Sequence, residues 1–215
     1  MTPIYQTSTY VQKSPGVIVE GYDYARGANP TRTALEANLA SLENAKHGLT
    51  FSSGCAAISA VIHLLHSGDH VVLGSDVYGG TFRLFDRIFK QFGVTYTQVD
   101  FNTEGALESA ITDNTKLIWL ETPTNPLLDI FDIAAVCSAA KSRSIIVAVD
   151  NTFATPYLQN PLALGADIVC HSTTKYIGGH SDVIGGALLC DSEDLEGKLR
   201  LTKFAVGAVP SPLGC

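Results

Sequence analysis

The sequence predicts an α/β fold in which helices flank a mostly parallel sheet. Short apolar runs of strand length alternate with segments of helical periodicity along the 215 residues. The run at residues 145–149, Ile-Ile-Val-Ala-Val, is apolar at every position, as expected when helices cover both faces of a sheet. A sheet with one face in water would alternate apolar and polar residues instead. These two patterns favour a doubly covered parallel sheet.

The elements follow in order from Asn29 and Pro30, which suit the cap and first turn of a helix. Apolar residues at helical spacing extend this helix, and Gly48 is expected to end it. A strand at 49–52 leads into a helix at 53–66. Further strands are predicted at 70–75, 94–100, 116–121, 145–150, 168–172 and 183–190. Further helices are predicted at 81–92, 104–111, 130–142 and 193–204.

Composition and charge exclude several classes of partner. The formal charge of -7 and the pI near 5.2 disfavour nucleic acid and anionic membrane surfaces. No apolar run approaches the length of a transmembrane span, and residues 1–6 do not resemble a signal peptide. The five cysteines show no close pairing, which is typical of reduced thiols in a cytoplasmic protein.

Polar segments follow five of the predicted strands. They lie at residues 52–54, 76–80, 121–126, 150–152 and 172–175. Each segment alone could be a capping turn. Because ligands of parallel α/β sheets bind at the carboxyl ends of the strands, five such segments on one edge predict a functional site. A metal site is not predicted, since Cys170 and His171 are adjacent and face opposite sides of a strand.

The residue types at this edge suit pyridoxal phosphate. Lys175 offers an amine for a Schiff base, although a lysine on a loop is more often a surface residue. Asp150 could hold a protonated ring nitrogen or could cap a helix. Tyr78 offers a flat ring beside two glycines, and the start of a helix at Gly54 offers N–H groups for a phosphate. An aldolase that works without a cofactor is the alternative, but it leaves the phosphate site unexplained.

Several motifs in one order resemble a known family. They are Tyr24-Ala25-Arg26, Asn29-Pro30-Thr31-Arg32, Ser52-Ser53-Gly54, Asp76-Val77-Tyr78-Gly79-Gly80-Thr81, Glu121-Thr122-Pro123-Thr124-Asn125-Pro126, Val149-Asp150-Asn151-Thr152, Ser172-Thr173-Thr174-Lys175-Tyr176 and Gly179-His180-Ser181-Asp182-Val183. Together they resemble the Cys/Met-metabolism enzymes that use pyridoxal 5'-phosphate, in particular the cystathionine γ-lyase and γ-synthase group. The resemblance implies the large domain of the aspartate-aminotransferase-like fold, fold type I.

The resemblance also implies roles for individual residues. Lys175 would hold the cofactor and move protons between substrate carbons, and Tyr78 would cover the ring and deprotonate the substrate amino group. The residues implied to bind the cofactor are Lys175, Asp150, Thr152, Ser172, Thr174, Ser53, Gly54, Cys55, Tyr78, Asn125, Tyr24 and Arg26. The residues implied to bind the substrate are Arg26, Tyr78, Arg83 and Asn125. Tyr24 and Arg26 would reach the cofactor of a neighbouring subunit, which implies a homodimer or homotetramer.

The implied activity is elimination or replacement of the γ-substituent of cystathionine-like amino acids, and the choice between lyase and synthase stays open. Gly80 stands where methionine γ-lyases have a cysteine, which disfavours that activity. We expect an extended arm at 1–30, a cofactor-binding domain at 31–205, and at 206–215 the start of a linker to a missing C-terminal domain. In the family that domain supplies an arginine for the substrate carboxylate. The alternative is therefore a weakly active or inactive fragment that binds the cofactor or assists assembly.

Overall fold

The computed structural model describes residues 2–215 and contains one seven-stranded sheet. The strands of this sheet are β3 (His47–Phe51), β4 (His70–Gly74), β5 (Thr95–Val99), β6 (Thr115–Glu121), β7 (Ile146–Asp150), β8 (Ile168–His171) and β9 (Gly186–Cys190). The helices are α1 (Pro30–Glu43), α2 (Gly54–Ile62), α3 (Gly79–Arg83), α4 (Ala106–Ala110), α5 (Ile133–Lys141), α6 (Thr155–Leu158) and α7 (Glu193–Val206). The N-terminal segment adds a small hairpin of β1 (Gln12–Ser14) and β2 (Val17–Ile18).

The spatial order of the sheet is β3-β9-β8-β7-β6-β4-β5. Strands β4 to β8 pair in parallel, whereas β9 is antiparallel to both of its neighbours, β3 and β8. The prediction of a mostly parallel sheet is therefore confirmed. Because only β9 is reversed, the carboxyl ends of the other six strands meet at one edge.

Helices bury both faces of the sheet, as the fully apolar strands require. On one face, Trp119 and Ala148 pack in a cluster with Ile58 of α2. On the other face, Leu120 and Val149 pack with residues of α5, and Val169 packs with Leu39 of α1. Since side chains alternate along a strand, this assigns each residue at a strand end to one face.

Two helical predictions need correction. Helix α1 ends at Glu43, where Asn44 takes the left-handed conformation and closes the last turn, so the prediction that Gly48 ends it is wrong. Gly48 belongs instead to β3. The helix predicted at 81–92 is confirmed as helical, but it is a π-helix from Leu84 to Ile88 and a 3-10 helix from Phe89 to Phe92 after α3.

Residues 2–29 lie outside the main sheet and are largely exposed. They are attached to the domain mainly through α1. Asn29 caps the helix by accepting hydrogen bonds from Thr31 and Arg32 N–H groups. The buried Arg32 guanidinium donates from Nη2 to the Ala25 carbonyl at 2.6 Å, which fixes the end of the segment against the helix. Within residues 2–215 no helix is both long and apolar enough to cross a membrane.

Candidate functional site

The polar strand ends surround one cavity at the carboxyl edge of the sheet. Its volume is about 280 Å³, near the lower limit for a pocket that binds a small molecule. It is lined by Ser53, Gly54, Cys55, Ile58, Tyr78, Glu121, Asn125, Asp150, Thr152, Phe153, Ser172, Thr174, Lys175 and Ile184. Residues from five separate strand ends therefore contribute to a single pocket.

A chain of hydrogen bonds fixes Asp150 at the base of the pocket. The Asp150 Oδ1 accepts hydrogen bonds from the Thr152 hydroxyl at 2.5 Å and from the Thr152 N–H at 3.0 Å. The Thr152 hydroxyl oxygen in turn accepts from the Ser172 N–H at 2.9 Å. Thr152 thus connects the end of β7 to the segment after β8, and it orients the Asp150 carboxyl.

A second carboxyl, Glu121, lies beside Asp150. The two residues are register partners on β6 and β7, and both are buried on the α2 face of the sheet. Burial and the nearby Asp150 charge raise the pKa of Glu121 to about 8, although a hydrogen bond from the Tyr78 N–H opposes the shift. Burial also raises the pKa of Asp150, and the hydrogen bonds from Thr152 oppose it. Two carboxyls that are buried side by side form a site suited to a cation.

The start of α2 forms the anion-binding part of the pocket. Ser53 caps the helix, and its hydroxyl oxygen accepts from the Ala56 N–H at 3.1 Å. The N–H groups of a first helical turn have no partners within the helix and carry the positive end of its dipole. Gly54 is necessary here because a Cβ on it would lie 2.9 Å from the Ser172 Cβ. The helix start and the segment after β8 therefore approach each other as a phosphate site requires.

Tyr78 lies at the pocket entrance, at the beginning of α3. Its backbone N–H donates to the Glu121 Oε2 at 2.8 Å, and its ring is 43% exposed. A Cβ on Gly80 would lie 2.3 Å from the Tyr78 ring. Because Gly80 has no side chain, the Tyr78 ring has room beside it. The ring therefore lies over the pocket rather than in the core.

Lys175 lies in the segment between β8 and β9 and is exposed at the edge of the pocket. It is one turn beyond the end of β8 rather than buried at the strand end. The neighbouring Thr174 hydroxyl donates to the Gly185 carbonyl at 3.1 Å and accepts from the Gly185 N–H at 3.0 Å. Both ends of the segment that carries Lys175 are therefore joined at the pocket.

Three predicted site residues lie elsewhere in this chain. Arg83 is on α3, exposed, and outside the pocket lining. Tyr24 and Arg26 lie against α7, where the Arg26 guanidinium is 4.3 Å from the Phe204 ring and donates to the Phe204 carbonyl. The other predicted residues, ten in number with Lys175 and Tyr78, all line the same pocket.

Four pocket residues were not predicted as site residues. They are Ile58, Glu121, Phe153 and Ile184. Glu121 ends a predicted strand and begins the polar segment at 121–126, and this was the signal that could have identified it. The other three are apolar, and no sequence pattern distinguishes a pocket wall from a core position.

The fold and the pocket define a class of protein that binds a small cofactor with an aldehyde, a ring nitrogen and a phosphate. The amine of Lys175 suits the aldehyde, and the buried Asp150 and Glu121 carboxyls suit a cationic ring nitrogen. The first turn of α2 suits a phosphate. Pyridoxal phosphate carries all three groups, so the residues present fit it.

Comparison with known proteins identifies the family. Residues 1–215 match the family model described as Cys/Met metabolism PLP-dependent enzyme, and the chain belongs to that family. The chain is 53% identical, over its full length and 67% of the relative, to a probable cystathionine gamma-synthase of Herpetosiphon aurantiacus. The family assignment made from the motifs is confirmed.

Solved structures agree in fold. A crystal structure of metB from Corynebacterium glutamicum is 50% identical, with a TM-score of 0.98 over 100% of this chain and 56% of that one. A cystathionine gamma-lyase from Lactobacillus plantarum complexed with L-serine is 49% identical, with a TM-score of 0.96 over 99% of this chain and 55% of that one. The predicted large-domain fold is confirmed. The chain spans 54–67% of the length of the first three curated relatives that it matches.

Proposed function

We propose that this chain is the cofactor-binding part of a carbon–sulfur lyase or transferase that acts on cystathionine-like amino acids. The observation that carries the proposal is the pocket itself, in which Lys175, the Asp150–Glu121 pair and the start of α2 face one cavity. The named relatives include cystathionine γ-synthases and γ-lyases, which supports this substrate class. The proposal includes both γ-elimination and γ-replacement, because γ-synthases at 53% identity and a γ-lyase at 50% identity both match the chain.

When bound, pyridoxal phosphate supplies an aldehyde for a lysine amine and a cationic ring that withdraws electrons from the substrate Cα. Asp150 keeps the ring nitrogen protonated, and Thr152 keeps the Asp150 carboxyl oriented. Lys175 Nζ would move protons at the substrate Cα and Cβ: it would accept the Cα proton and, after releasing it, accept a Cβ proton so that the γ-substituent can leave. The Tyr78 phenol covers the ring and accepts a proton from the substrate amino group.

The remaining predicted residues complete the site. Ser53, Gly54, Cys55, Ser172 and Thr174 bind the phosphate, with N–H groups at the start of α2 and hydroxyls after β8. Asn125 contacts the cofactor ring oxygen and the substrate. Arg83 is an exposed residue near the entrance, and we propose that it contacts the substrate there.

Tyr24 and Arg26 lie outside the pocket of their own chain, which supports the proposal that they serve a second subunit. Stacking on Phe204 holds the Arg26 guanidinium at the surface, and Arg32 holds the backbone carbonyls beside it. A homodimer or homotetramer of a cytoplasmic enzyme is therefore part of the proposal. The predicted boundaries at residues 30 and 205 stay predictions.

A second candidate function is cofactor binding without turnover. It is included because these 215 residues match 54–56% of the length of several relatives, and turnover by the 215 residues alone is a separate question from cofactor binding. The two candidates share the pocket and differ in whether product forms. Both predict that Lys175 carries the cofactor.

The test begins with the purified 215-residue chain and pyridoxal phosphate. We expect a visible absorbance band, and borohydride reduction followed by peptide mass spectrometry should locate a pyridoxyl phosphate group on Lys175. Lys116, an exposed lysine on β6, serves as the matched control. Lys175→Ala should abolish the band and Lys116→Ala should retain it. A label that survives in Lys175→Ala would refute the cofactor assignment.

Addition of cystathionine then separates the two candidates. Formation of cysteine, ammonia and 2-oxobutyrate would support the lyase, and consumption of an activated homoserine ester together with cysteine would support the synthase. Bound cofactor without product would support the second candidate.

A further inference from the structure

A buried polar cluster lies behind the pocket, on the opposite face of the sheet. Its centre is Glu43, the last residue of α1, which is almost fully buried. Glu43 Oε1 accepts a hydrogen bond from His171 Nε2 at 2.6 Å and another from Asn151 Nδ2 at 2.7 Å. One carboxylate oxygen therefore joins the end of β8 to the residue that follows β7.

The cluster extends to a third strand through Gln159. The second N–H of the Asn151 amide donates to the Gln159 carbonyl at 2.9 Å. The Gln159 side-chain amide donates to Asn151 Oδ1 at 2.9 Å and to the Thr122 carbonyl at 3.0 Å. The ends of β6, β7 and β8 are thus linked by one set of hydrogen bonds.

Each strand end in this cluster also supplies a pocket residue. Thr122, Asn151 and His171 belong to the cluster, and their immediate neighbours in the chain line the pocket. These neighbours are Glu121, Asp150 and Ser172. Because adjacent residues of a strand face opposite sides, a side chain fixed on one face also fixes the direction of its neighbour on the other.

We propose that Glu43 is a positioning residue for the cofactor pocket, acting through Asn151 and His171 on Asp150 and Ser172. The inference rests on the proposed function, because it assumes that this pocket binds pyridoxal phosphate. A buried carboxylate with well-aligned donors forms strong hydrogen bonds, and its removal leaves His171 Nε2 and one N–H of the Asn151 amide without a partner. The strand ends then lose the contact that holds their spacing, and the two pocket residues move with them.

The same helix provides a matched control in Glu36. This carboxylate is also buried, and it accepts hydrogen bonds from Lys203 Nζ at 2.6 Å and from the Thr50 N–H at 2.9 Å. It contacts α7 and β3 rather than the ends of β6, β7 and β8. Glu36→Ala therefore measures how much stability is lost when a buried carboxylate is removed from α1 and the strand ends behind the pocket keep their hydrogen bonds.

The experiment measures the Kd of pyridoxal phosphate by absorbance titration, at a temperature well below the unfolding of every variant. We expect Glu43→Ala to raise the Kd by about tenfold, the change that corresponds to about 1.4 kcal/mol. Glu43→Gln should raise it by less than about threefold, because the amide oxygen still accepts from both donors. Glu36→Ala should also stay within about threefold, although it lowers the Tm at least as much as Glu43→Ala does.

Four outcomes are distinguishable. Equal losses of affinity in Glu36→Ala and Glu43→Ala, or an unchanged Kd in Glu43→Ala, would overturn the positioning role. A Glu43→Gln variant as weak as Glu43→Ala would overturn the hydrogen-bond basis proposed for it. Should Glu43→Ala not fold, Asn151→Ala breaks the same link while His171 and Asn160 still donate to the Glu43 carboxylate, and it should weaken binding by about the same factor. Failure of the unmodified chain to bind the cofactor would refute the proposed function itself.

Discussion

The substitution Glu121→Gln tests whether Glu121 takes up a proton when the cofactor-free chain folds. In the folded, cofactor-free chain, burial and Asp150 raise the pKa of Glu121 from its ordinary 4.5 to about 8. Between these two values the folded state binds more protons than the unfolded state, so stability falls as the pH rises through this interval. Glutamine has the shape of the protonated acid, and its carbonyl oxygen can still accept from the Tyr78 N–H.

The size of the effect follows from the width of that interval. At about 1.4 kcal/mol per pH unit, the difference between 4.5 and 8 sets an upper limit of about 5 kcal/mol. Because burial raises the pKa of the neighbouring Asp150 as well, the two carboxyls share this free energy. We therefore expect the stability advantage of Glu121→Gln over the unmodified chain to grow by about 1–3 kcal/mol between pH 5.5 and pH 8.5.

The assay is urea unfolding of the cofactor-free chain at several pH values between 5.5 and 8.5. Glu104→Gln removes the same charge at an exposed position and serves as the control. Identical pH dependence in Glu121→Gln and the unmodified chain would show that Glu121 takes up no proton on folding, which would refute the reasoning. Saturating pyridoxal phosphate should reduce the difference between the two proteins, since its ring nitrogen places a cation beside both carboxyls.

Two glycine substitutions separate crowding in the pocket from crowding at its entrance. Gly54→Ala should weaken cofactor binding and destabilise the chain by about 1–3 kcal/mol, because the new Cβ would meet Ser172 at 2.9 Å. Its control is Gly197→Ala on α7, where open space surrounds the new Cβ and the helix should be stabilised by up to about 1 kcal/mol. Equal effects of Gly54→Ala and Gly197→Ala on cofactor titration and thermal unfolding would contradict the crowding argument. Gly80→Ala should displace the exposed Tyr78 ring and alter the absorbance band of the bound cofactor with little loss of Tm. An unchanged band would show that the ring does not cover the cofactor.

The sequence was sufficient to predict the sheet because its central strands contain continuous apolar runs, and because the helical segments between strands indicate parallel crossovers. It was also sufficient for most of the pocket, since polar residues after parallel strands converge on one edge. Helix boundaries were less predictable. The stretch at 84–92 has helical periodicity, but its backbone hydrogen bonds change spacing along its length, which periodicity does not reveal.

The hydrogen bonds between distant residues behind the pocket could not be predicted. No sequence pattern marks Glu43, and its partners Asn151 and His171 are more than 100 positions away. Nothing in a single sequence indicates that such groups are buried together. The raised pKa of Glu121 has the same origin, because it depends on a neighbouring strand rather than on neighbours in the chain.

The reversed direction of β9 has a consequence for the lysine that precedes it. A parallel strand at that position would need a crossover back to the far edge of the sheet, usually through a helix. Because β9 is antiparallel to β8, the chain leaves and re-enters the sheet at the same edge, and Thr174 and Gly185 close the segment between them. Lys175 thus lies in a short segment whose two ends are fixed. The segment between residues 175 and 185 contains no helix that could accommodate an insertion or deletion. We therefore expect any change in its length to displace the Lys175 amine.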